Sequence, residues 1–288
     1  MNSRRVLVTG LRGFTGQHAA NALQATGHEV FGLEWNGAPV SLLDRDAVRE
    51  VVRTVRPTHV MHLAAVAFVA LGDADVVYRT NIVGSRHLLE ALADEAPDIK
   101  QVLLASSANV YGNAEVESLD EQVSAAPAND YAVSKLAMEH MASLWADRLP
   151  LTIVRPFNYT GCGQSEQFVI PKIVAHARQG SGILELGNLD VWREYNDVRW
   201  VAEAYCRLLD ADSVGRTINI ASGRTWSLRE VIALVEQLSG RQIPVTVNSA
   251  FVRHNEVVRL RGDGSCLQQL VGKLPHYSLE DTLRWMLS

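Results

Sequence analysis

The sequence predicts an α/β fold in which a doubly wound parallel sheet is followed by a smaller C-terminal portion. Two observations support this prediction. Short apolar runs bounded by turn signals alternate with amphipathic stretches through the first two thirds of the chain, which is typical of parallel strands joined by crossover helices. A stretch with three glycines, VLVTGLRGFTG, includes the first apolar run, as expected where a strand turns tightly into a helix.

The predicted elements alternate strictly as far as Pro156. The strands are predicted at residues 6–8, 30–33, 59–63, 102–106 and 151–155, and the helices at 16–25, 45–55, 81–93 and 131–148. Beyond Pro156, longer glycine-containing loops replace this alternation. We therefore expect a first domain over residues 1–156 and a second portion over 157–288, with one or two chain returns to the main sheet.

Composition and charge exclude several classes of protein. The 288 residues are 47% hydrophobic and 20% charged, with a formal net charge of -5 and no basic cluster, so no nucleic-acid surface is expected. The three cysteines lack metal-ligand or disulfide spacing. No apolar run reaches the about 18 residues of a membrane span, and no signal-peptide core is present. We expect a soluble, cytoplasmic protein that binds no metal, no nucleic acid and no membrane.

The glycine-rich stretch predicts a dinucleotide site. Gly10, Gly13 and Gly16 lie between a predicted strand and a predicted helix. Glycines there permit a tight turn and close backbone approach, and the helix N-terminus offers free N–H groups and a partial positive charge to a pyrophosphate. The strand-turn-helix order favours this interpretation over a plain structural turn. We predict that Gly10, Gly13, Phe14 and Gly16 contact the cofactor.

Two charged residues bear on which nicotinamide cofactor binds. Glu34 lies 18 residues after Gly16, where a carboxylate can bond the adenosine ribose hydroxyls and repels a 2'-phosphate. Arg12, inside the glycine loop, has the opposite effect if its guanidinium binds that phosphate. It is equally interpreted as a solvated loop arginine or as a partner of Glu34. The sequence favours NAD(H) and leaves NADP(H) open.

Further residues are candidates beside the cofactor. Asp44 is interpreted either as an adenine-side contact or as a helix N-cap. Leu63, Ala64 and Ala65, in the segment HLAA, provide a strand end against which the cofactor can lie close. The preceding His62 is expected to be a hydrogen-bonded core residue. Asn81 either orders the helix near the site or caps it.

A tyrosine and a lysine four residues apart, in YAVSK, form the predicted catalytic pair. Tyr131 and Lys135 share one face of a predicted helix, and we expect the ammonium to lower the pKa of the phenol. Ser107 follows the strand in LLASSANVYG, at an end where open parallel sheets bind ligands. These three side chains supply the acid-base groups needed when a nicotinamide gives or takes hydride. The alternative is a capped surface helix with a packed tyrosine.

The order of these motifs resembles that of a known family. TGLRGFTG, HLAA, SSANVYG, YAVSK and RPFN occur as in extended short-chain dehydrogenase/reductases that act on nucleotide sugars, and the resemblance covers nearly the whole chain. It implies a dinucleotide-binding Rossmann domain over residues 1–156 and a nucleotide-sugar-binding portion over 157–288. It also implies catalytic roles for Ser107, Tyr131 and Lys135, with Lys135 holding the nicotinamide ribose.

The second half of the chain looks most like the reductases that convert GDP-4-keto-6-deoxy-D-mannose to GDP-D-rhamnose or its talose epimer. Tyr159 and Cys162 depart from this likeness, because those reductases commonly have histidine and proline there. The resemblance implies phosphate contacts for Asn158, Arg193 and Arg253, base contacts for Phe168, Val169 and Lys172, a ribose contact for Glu256, and a substrate contact for Ser107.

Rival chemistries are weighed by what the sequence lacks. Dehydratases of the family place an acidic residue just after the catalytic hydroxyl, whereas this chain has Ala108 and Asn109, neither of which transfers protons. Combined 3,5-epimerase/reductases use a cysteine near that strand end, and none is present there. An NAD-dependent nucleotide-sugar 4-epimerase remains the main alternative. A non-catalytic NAD-sensing regulator is less favoured, because all three catalytic side chains are present.

The resemblance also implies a homodimer. Leu136, Met138, Met141 and Leu144 give the helix 131–148 an apolar face. Together with the helix 81–93, this face can form a four-helix interface between two copies of the chain. Burial against the chain's own sheet explains the same pattern, and the sequence does not separate the two.

Overall fold

The helices and strands of the computed structural model lie within residues 4–67, 73–114, 116–180, 182–252 and 258–288, which are the residues that the structure describes. The strands are β1 Arg5–Thr9, β2 Glu29–Gly32, β3 Glu34–Trp35, β4 Ala38–Pro39, β5 His59–His62, β6 Gln101–Ala105, β7 Leu151–Pro156, β8 Tyr159–Thr160, β9 Leu184–Leu186, β10 Trp192–Glu194, β11 Asn196–Asp197, β12 Thr217–Ile220, β13 Thr225–Ser227, β14 Val245–Val247 and β15 Arg259–Leu260. The α-helices are α1 Phe14–Ala25, α2 Arg45–Val55, α3 Ala74–Tyr78, α4 Ser85–Glu95, α5 Asp130–Ser143, α6 Val169–Gln179, α7 Val198–Leu208, α8 Leu228–Ser239, α9 Ser265–Val271 and α10 Leu279–Leu287. A π-helical turn covers Arg79–Gly84, and 3-10 turns cover Ala108–Tyr111 and Ser249–Phe251. In the described parts of the chain, no helix is both long and apolar enough to cross a membrane.

Six parallel strands form the central sheet in the order β12-β7-β6-β5-β1-β2. The chain goes from β1 to β2 at one edge and then builds β5, β6 and β7 on the other side of β1, so the winding reverses beside β1. Helices α2, α4 and α5 cover one face, and α1, α7 and α9 cover the other. The predicted doubly wound α/β fold is confirmed, and the reversal between β1 and β5 is where such sheets bind ligands.

All five predicted strands are present. Each observed end lies within one residue of the predicted end. Val6, Leu7 and Val8 are fully buried, as expected for a strand covered by helices on both faces. These strands were predictable because continuous apolar runs are required there.

Three predicted helices differ from the observed ones. The helix predicted at 16–25 begins two residues earlier, at Phe14. The helix predicted at 81–93 begins as the π-helical turn and becomes α-helical only at Ser85. The helix predicted at 131–148 ends at Ser143, because the following residues form tighter turns, with Leu144 N bonded to Met141 O at 3.2 Å and Trp145 N to Ala142 O at 2.9 Å. Periodicity alone does not locate such an end.

The apolar face predicted for the helix 131–148 is partly internal. Met138 is fully buried among residues of the chain's own core, and Leu136 packs against a separate buried cluster around Tyr111. Leu144, beyond the end of α5, is 83% exposed. Burial against the chain's own sheet therefore accounts for Met138 and Leu136 without a second copy of the chain.

The C-terminal half of the chain contributes to the main sheet and to a separate core. β12 pairs with β7 in the main sheet, and α7 packs against α1. Helices α6, α8 and α10 enclose another apolar cluster, and β10 joins β13 and β15 in a small sheet. β12 and α7 follow residue 156 in sequence but belong to the layers of the main sheet. A domain division at residue 156 stays a prediction.

Candidate active site

A cavity of about 380 Å³ opens at the carboxyl ends of β1, β5 and β6, where the winding of the sheet reverses. The glycine-rich loop forms one side of it, and residues 63–65 form the adjoining wall. Ser107 follows β6, and Tyr131 and Lys135 reach the cavity from α5. The fold thus brings the predicted cofactor loop and the predicted catalytic side chains to one place.

The glycine loop is shaped to receive a phosphate group. Gly10 has a φ of +72°, and a Cβ on Gly16 would lie only 2.1 Å from Gly10 O, so larger residues do not fit these positions. Helix α1 begins at Phe14 with Gly13 as its N-cap, with no side-chain capping bond and no acidic residue in its first turn. Its free N–H groups and partial positive charge fit the pyrophosphate of a dinucleotide.

The three predicted catalytic side chains converge. Tyr131 and Ser107 both line the cavity, and the Ser107 hydroxyl is close enough to interact with the phenol of Tyr131. Lys135 Nζ donates to Ala105 O at 2.7 Å, and it lies 6.0 Å from the centre of the Tyr131 ring. The ammonium is therefore held between the end of β6 and the tyrosine, with further donor capacity.

Burial determines the protonation of this group. Burial raises the pKa of Tyr131 well above the ordinary value, with a further increase from Tyr159, while the interaction with Ser107 lowers it. Burial also lowers the pKa of Lys135 to about 8, against the opposing effect of Glu139. The prediction that Lys135 lowers the pKa of the phenol is wrong for this structure, because desolvation dominates. Tyr131 is neutral at physiological pH and can donate a proton.

Glu139 connects α5 to two strands. It lies one turn after Lys135 on α5, and its carboxylate accepts a hydrogen bond from Ser106 Oγ. Arg155 of β7 donates to the same carboxylate through Nε at 3.0 Å and Nη2 at 2.6 Å. Because Glu139 and Arg155 are both buried, this network fixes α5 relative to the ends of β6 and β7.

The two residues predicted to affect cofactor choice contact each other. Arg12 Nε donates to Glu34 Oε1 at 2.8 Å, and Arg12 Nη2 donates to Gly37 O at 3.1 Å. Of the interpretations given for Arg12, pairing with Glu34 is the one that the structure supports. The guanidinium offsets the charge of the carboxylate, so this edge of the site does not reject a 2'-phosphate as an isolated glutamate would.

Asp44 and His62 have structural partners. Asp44 Oδ1 accepts from Ala47 N at 3.1 Å and caps α2, so the capping interpretation holds and an adenine contact stays a prediction. His62 is buried and bonds Thr9 Oγ1 at 2.7 Å and Ser85 Oγ at 2.8 Å. Burial lowers the pKa of His62 to about 3. It is a core residue, as predicted.

Asn81 contacts α5 from a neighbouring turn. Its Nδ2 donates to Ser134 Oγ at 3.0 Å and to Val66 O at 3.1 Å, while its Oδ1 accepts from Val66 N at 2.9 Å. Asn81 lies within the π-helical turn, and its side chain does not cap a helix. These hydrogen bonds join the loop after β5 to α5. Direct contact between Asn81 and a cofactor stays a prediction.

The residues predicted to bind substrate are only partly gathered at the cavity. Asn158 and Phe168 line it. Val169 is the first residue of α6, directly after Phe168. Arg253 and Glu256 lie outside the described residues. Asn158 and Phe168 therefore lie where a bound substrate could reach them, and substrate binding by all of these residues stays a prediction.

Lys172 and Arg193 lie beyond the described lining of the cavity. Lys172 Nζ donates to Glu185 O at 2.9 Å and lies 5.1 Å from the centre of the Phe251 ring. Arg193 Nη1 donates to Trp192 O at 2.9 Å. In this structure, both cations contact main-chain oxygens of the C-terminal half.

Thr15 and Tyr159 are among the cavity residues that were not predicted. Thr15 Oγ1 and Tyr159 OH are hydrogen-bonded at 2.8 Å across 144 positions of sequence, and the Tyr159 ring stacks on Phe14 with centroids 6.1 Å apart. The available signals were local: Thr15 lies within the glycine motif, and Tyr159 follows the predicted Asn158. Only the fold shows that these two hydroxyls meet.

Few titratable side chains line the described part of the cavity. No Asp, Glu, His or Cys is among the described residues that line it, and its titratable side chains there are Tyr131, Lys135 and Tyr159. Ala108 and Asn109 occupy the turn after Ser107. Proton transfer to a bound substrate within this described lining therefore depends on phenols, an ammonium and the Ser107 hydroxyl.

Comparison with protein families and curated proteins gives consistent matches. The NAD dependent epimerase/dehydratase family matches residues 6–221. GDP-6-deoxy-D-talose 4-dehydrogenase of Aggregatibacter actinomycetemcomitans is 32% identical over 269 residues, covering 93% of this chain and 91% of the relative. GDP-6-deoxy-D-mannose reductase of Pseudomonas aeruginosa is 33% identical over 297 residues, covering 99% of this chain and 97% of the relative.

Solved structures share the fold over almost the whole chain. RMD from Pseudomonas aeruginosa complexed with NADPH superposes with a TM-score of 0.89 at 32% identity, covering 99% of this chain and 98% of that one. A Burkholderia cenocepacia J2315 protein, provisionally described as an epimerase, superposes with a TM-score of 0.93 at 49% identity, covering 99% and 97%. The likeness therefore extends to both halves of the chain.

Proposed function

The chain belongs to the NAD dependent epimerase/dehydratase family, and on that premise we propose that it reduces the C4 keto group of a nucleotide-linked 4-keto-6-deoxyhexose. It is an NAD(P)-dependent enzyme of the extended short-chain dehydrogenase/reductase type. The proposed substrate is GDP-4-keto-6-deoxy-D-mannose, and the product is GDP-D-rhamnose or GDP-6-deoxy-D-talose. The two GDP-sugar oxidoreductases among the relatives support this substrate class.

The observation that carries the proposal is the position of Tyr131 beside Ser107 and Lys135 in the cavity of the glycine loop. A nicotinamide bound there supplies a hydride for the carbonyl carbon. In our proposal, Tyr131 donates its proton to the carbonyl oxygen, and Ser107 orients that oxygen through a hydrogen bond. Lys135 stabilises the negative charge that develops on the phenol and holds the nicotinamide ribose.

The inventory of the cavity favours reduction over dehydration. A dehydration moves protons at neighbouring carbons and needs a carboxylic acid or another base beside the catalytic hydroxyl. The described lining offers Ala108 and Asn109 at that place and no carboxylate elsewhere. Reduction needs one proton donor at the carbonyl oxygen, and the neutral Tyr131 supplies it.

The nucleotide is proposed to extend from the cavity toward the C-terminal half. Asn158 and Phe168 already line the cavity, and we assign them to the diphosphate and the base, respectively. Val169, Lys172, Arg193, Arg253 and Glu256 are proposed to complete this site. For Lys172 and Arg193, binding would exchange their present main-chain contacts for contacts with the nucleotide.

A turnover assay tests the reductase directly. Purified protein is incubated with GDP-4-keto-6-deoxy-D-mannose, and oxidation of NADH and of NADPH is followed by absorbance. We expect stoichiometric oxidation of at least one of them, and the Tyr131→Phe variant should lose about 10²- to 10⁴-fold in kcat. No oxidation of either cofactor by the wild-type protein would refute the proposal. Unchanged turnover in Tyr131→Phe would refute the role of the phenol.

The second candidate is an NAD-dependent nucleotide-sugar 4-epimerase. It is favoured by the 49% identical protein provisionally described as an epimerase, and it uses the same three side chains. An epimerase retains its cofactor, so NAD would copurify and product would form without net oxidation. Protein that is isolated without cofactor and consumes reduced nicotinamide stoichiometrically would exclude it. A cofactor sensor is separated from both, since only a sensor keeps its output in Tyr131→Phe.

The cytoplasm is the proposed location of this reaction. Cys162, Cys206 and Cys266 are all free thiols in the structure, which fits a reducing compartment. Cell fractionation tests this proposal, and recovery of the protein outside the cytoplasmic fraction would contradict it.

A further inference from the structure

A second cavity, of about 560 Å³, lies in the C-terminal half of the chain. Its walls come from the start of α7, the loop between β12 and β13, the loop after β15 and the segment 272–279. Among the described residues, none lines both this cavity and the catalytic one. Its size is that of a small-molecule site, and nothing in the proposed reaction uses it.

The rim of this cavity carries positively charged side chains. Arg224 and Lys273 are exposed on it. Arg224 Nη1 lies 3.4 Å from His276 Nε2. An imidazole nitrogen that accepts this hydrogen bond carries no negative charge, so it does not compensate the charge of the guanidinium. Neither Arg224 nor Lys273 forms an ion pair within the described chain, whereas Arg261 on the same rim pairs with the exposed Glu117 at 3.2 Å.

The acidic residues of the cavity are already engaged. Asp197 accepts from Arg199 Nε at 2.9 Å and Nη2 at 2.7 Å, and from Thr282 Oγ1 at 2.7 Å. Asp263 accepts from Ser265 N at 2.7 Å. Asp197 is therefore paired with Arg199, whereas Asp263 keeps its negative charge. An anion at the rim would compensate the charges of Arg224 and Lys273.

Aromatic side chains form part of the wall. Trp200, Trp226 and Tyr277 line the cavity and are each half-buried. The Arg199 guanidinium lies 4.2 Å from the centre of the Tyr277 ring and helps to fix its orientation. Half-buried rings beside a cationic rim suit a ligand with a flat apolar part and a charged end.

We propose that this second cavity binds a nucleoside diphosphate, with its base against Trp200, Trp226 and Tyr277 and its phosphates at Arg224 and Lys273. The site is separate from the catalytic cavity and goes beyond the proposed reaction. In an enzyme of nucleotide sugars, such a site would respond to the level of free nucleotide in addition to the bound substrate.

The test counts binding sites with GDP as the probe. Equilibrium dialysis is performed on the wild-type protein and on the double variant Arg224→Ala/Lys273→Ala. We expect the second site of this variant to be weakened by about a hundredfold, about tenfold for each of the two lost phosphate contacts. At GDP concentrations that saturate the second site of the wild-type protein only, the wild-type protein should bind one equivalent of GDP more than the variant. The matched control is Lys100→Ala/Arg178→Ala, which removes the same charge from exposed positions outside both cavities.

Each outcome decides the proposal. Equal stoichiometry and affinity in the wild-type protein and Arg224→Ala/Lys273→Ala would overturn it, as would an equal loss in the control, since the effect would then be general charge. Pyrophosphate that competes as tightly as GDP would overturn the role of the aromatic wall. If the proposed reductase is wrong and the catalytic cavity binds no GDP, the wild-type protein still retains the one equivalent that the double variant loses.

Discussion

At the scale of single residues, burial shifts the pKa values of Tyr131 and Lys135, to which we assign the acid-base work of the proposed reaction. Burial disfavours the charged form of each group, so it raises the pKa of the phenol and lowers that of the ammonium to about 8. The tyrosine remains a proton donor at physiological pH, and the lysine titrates close to it. Both states suit the direction of carbonyl reduction.

The pKa of Lys135 predicts an alkaline limit to activity. The ammonium is present below about pH 8 and is lost as the pH rises through that value, so kcat/KM should fall above it. Glu139 raises the pKa of Lys135, and its replacement in Glu139→Gln should move the limit to lower pH. Profiles of kcat/KM against pH for both proteins measure this shift.

Glu139→Asp serves as the control, because it keeps the negative charge and should retain more of the wild-type profile. Glu139→Gln also leaves Arg155 without its buried partner, with an expected loss of about 3 kcal/mol in the free energy of unfolding. A destabilised variant whose alkaline limit is unchanged would show that Glu139 is only structural.

The pair of Arg12 and Glu34 predicts a change in cofactor preference. Replacing the guanidinium in Arg12→Ala removes a phosphate partner and frees the Glu34 carboxylate, which repels a 2'-phosphate. We expect the KM for NADPH to rise by about tenfold, corresponding to about 1.4 kcal/mol, with a smaller change for NADH. Initial rates with both cofactors measure this, and Arg56→Ala, which removes an exposed arginine outside the cavity, is the control. An equal change for the two cofactors would contradict the prediction.

At the scale of secondary-structure elements, β10 is held in place by one buried carboxylate. Glu194 accepts from Gly262 N at 2.8 Å, Ser222 N at 2.7 Å and Asn196 Nδ2 at 2.9 Å. It therefore ties β10 to the loops after β12 and β15. Side chains alternate along a strand, so the neighbouring Arg193 points to the other face, and the position of the proposed phosphate ligand depends on Glu194.

Replacement of this carboxylate should affect stability and nucleotide binding together. Glu194→Ala leaves several buried donors without an acceptor, and we expect a loss of at least about 3 kcal/mol in the free energy of unfolding. The KM for the nucleotide sugar should rise more than that for the cofactor. Denaturant unfolding and steady-state kinetics measure the two effects, and Glu185→Ala, at an exposed position of β9, is the control. Stability equal to that of Glu185→Ala would refute this role.

At the scale of the whole molecule, the predicted homodimer stays a proposal with a different set of residues. Val76 of α3, Val83 of the π-helical turn and Val133 of α5 are 45%, 40% and 38% exposed, respectively. The three elements that carry them pack against one another. Exposed apolar side chains on adjoining elements are a candidate interface, whereas Met138, which the sequence suggested, is internal.

This interface predicts an oligomeric state. Light scattering after size exclusion should give twice the mass of the chain, and Val83→Lys/Val133→Lys should give the mass of one chain, because buried ammonium groups oppose association. Val247→Lys, at an exposed position of β14, should remain dimeric. A monomeric wild-type protein would contradict the proposed dimer.

The sequence by itself determined the doubly wound sheet, the glycine loop and the Tyr131-Lys135 pair, because strand burial, tight turns and helical spacing are local requirements that appear as local patterns. The tertiary structure decided what those groups contact. In the folded chain, Glu34 pairs with Arg12, burial raises the pKa of Tyr131, Thr15 forms a hydrogen bond with Tyr159, and Met138 lies in the core. Desolvation and contacts between distant segments depend on how the layers pack, and no single stretch of sequence contains that information.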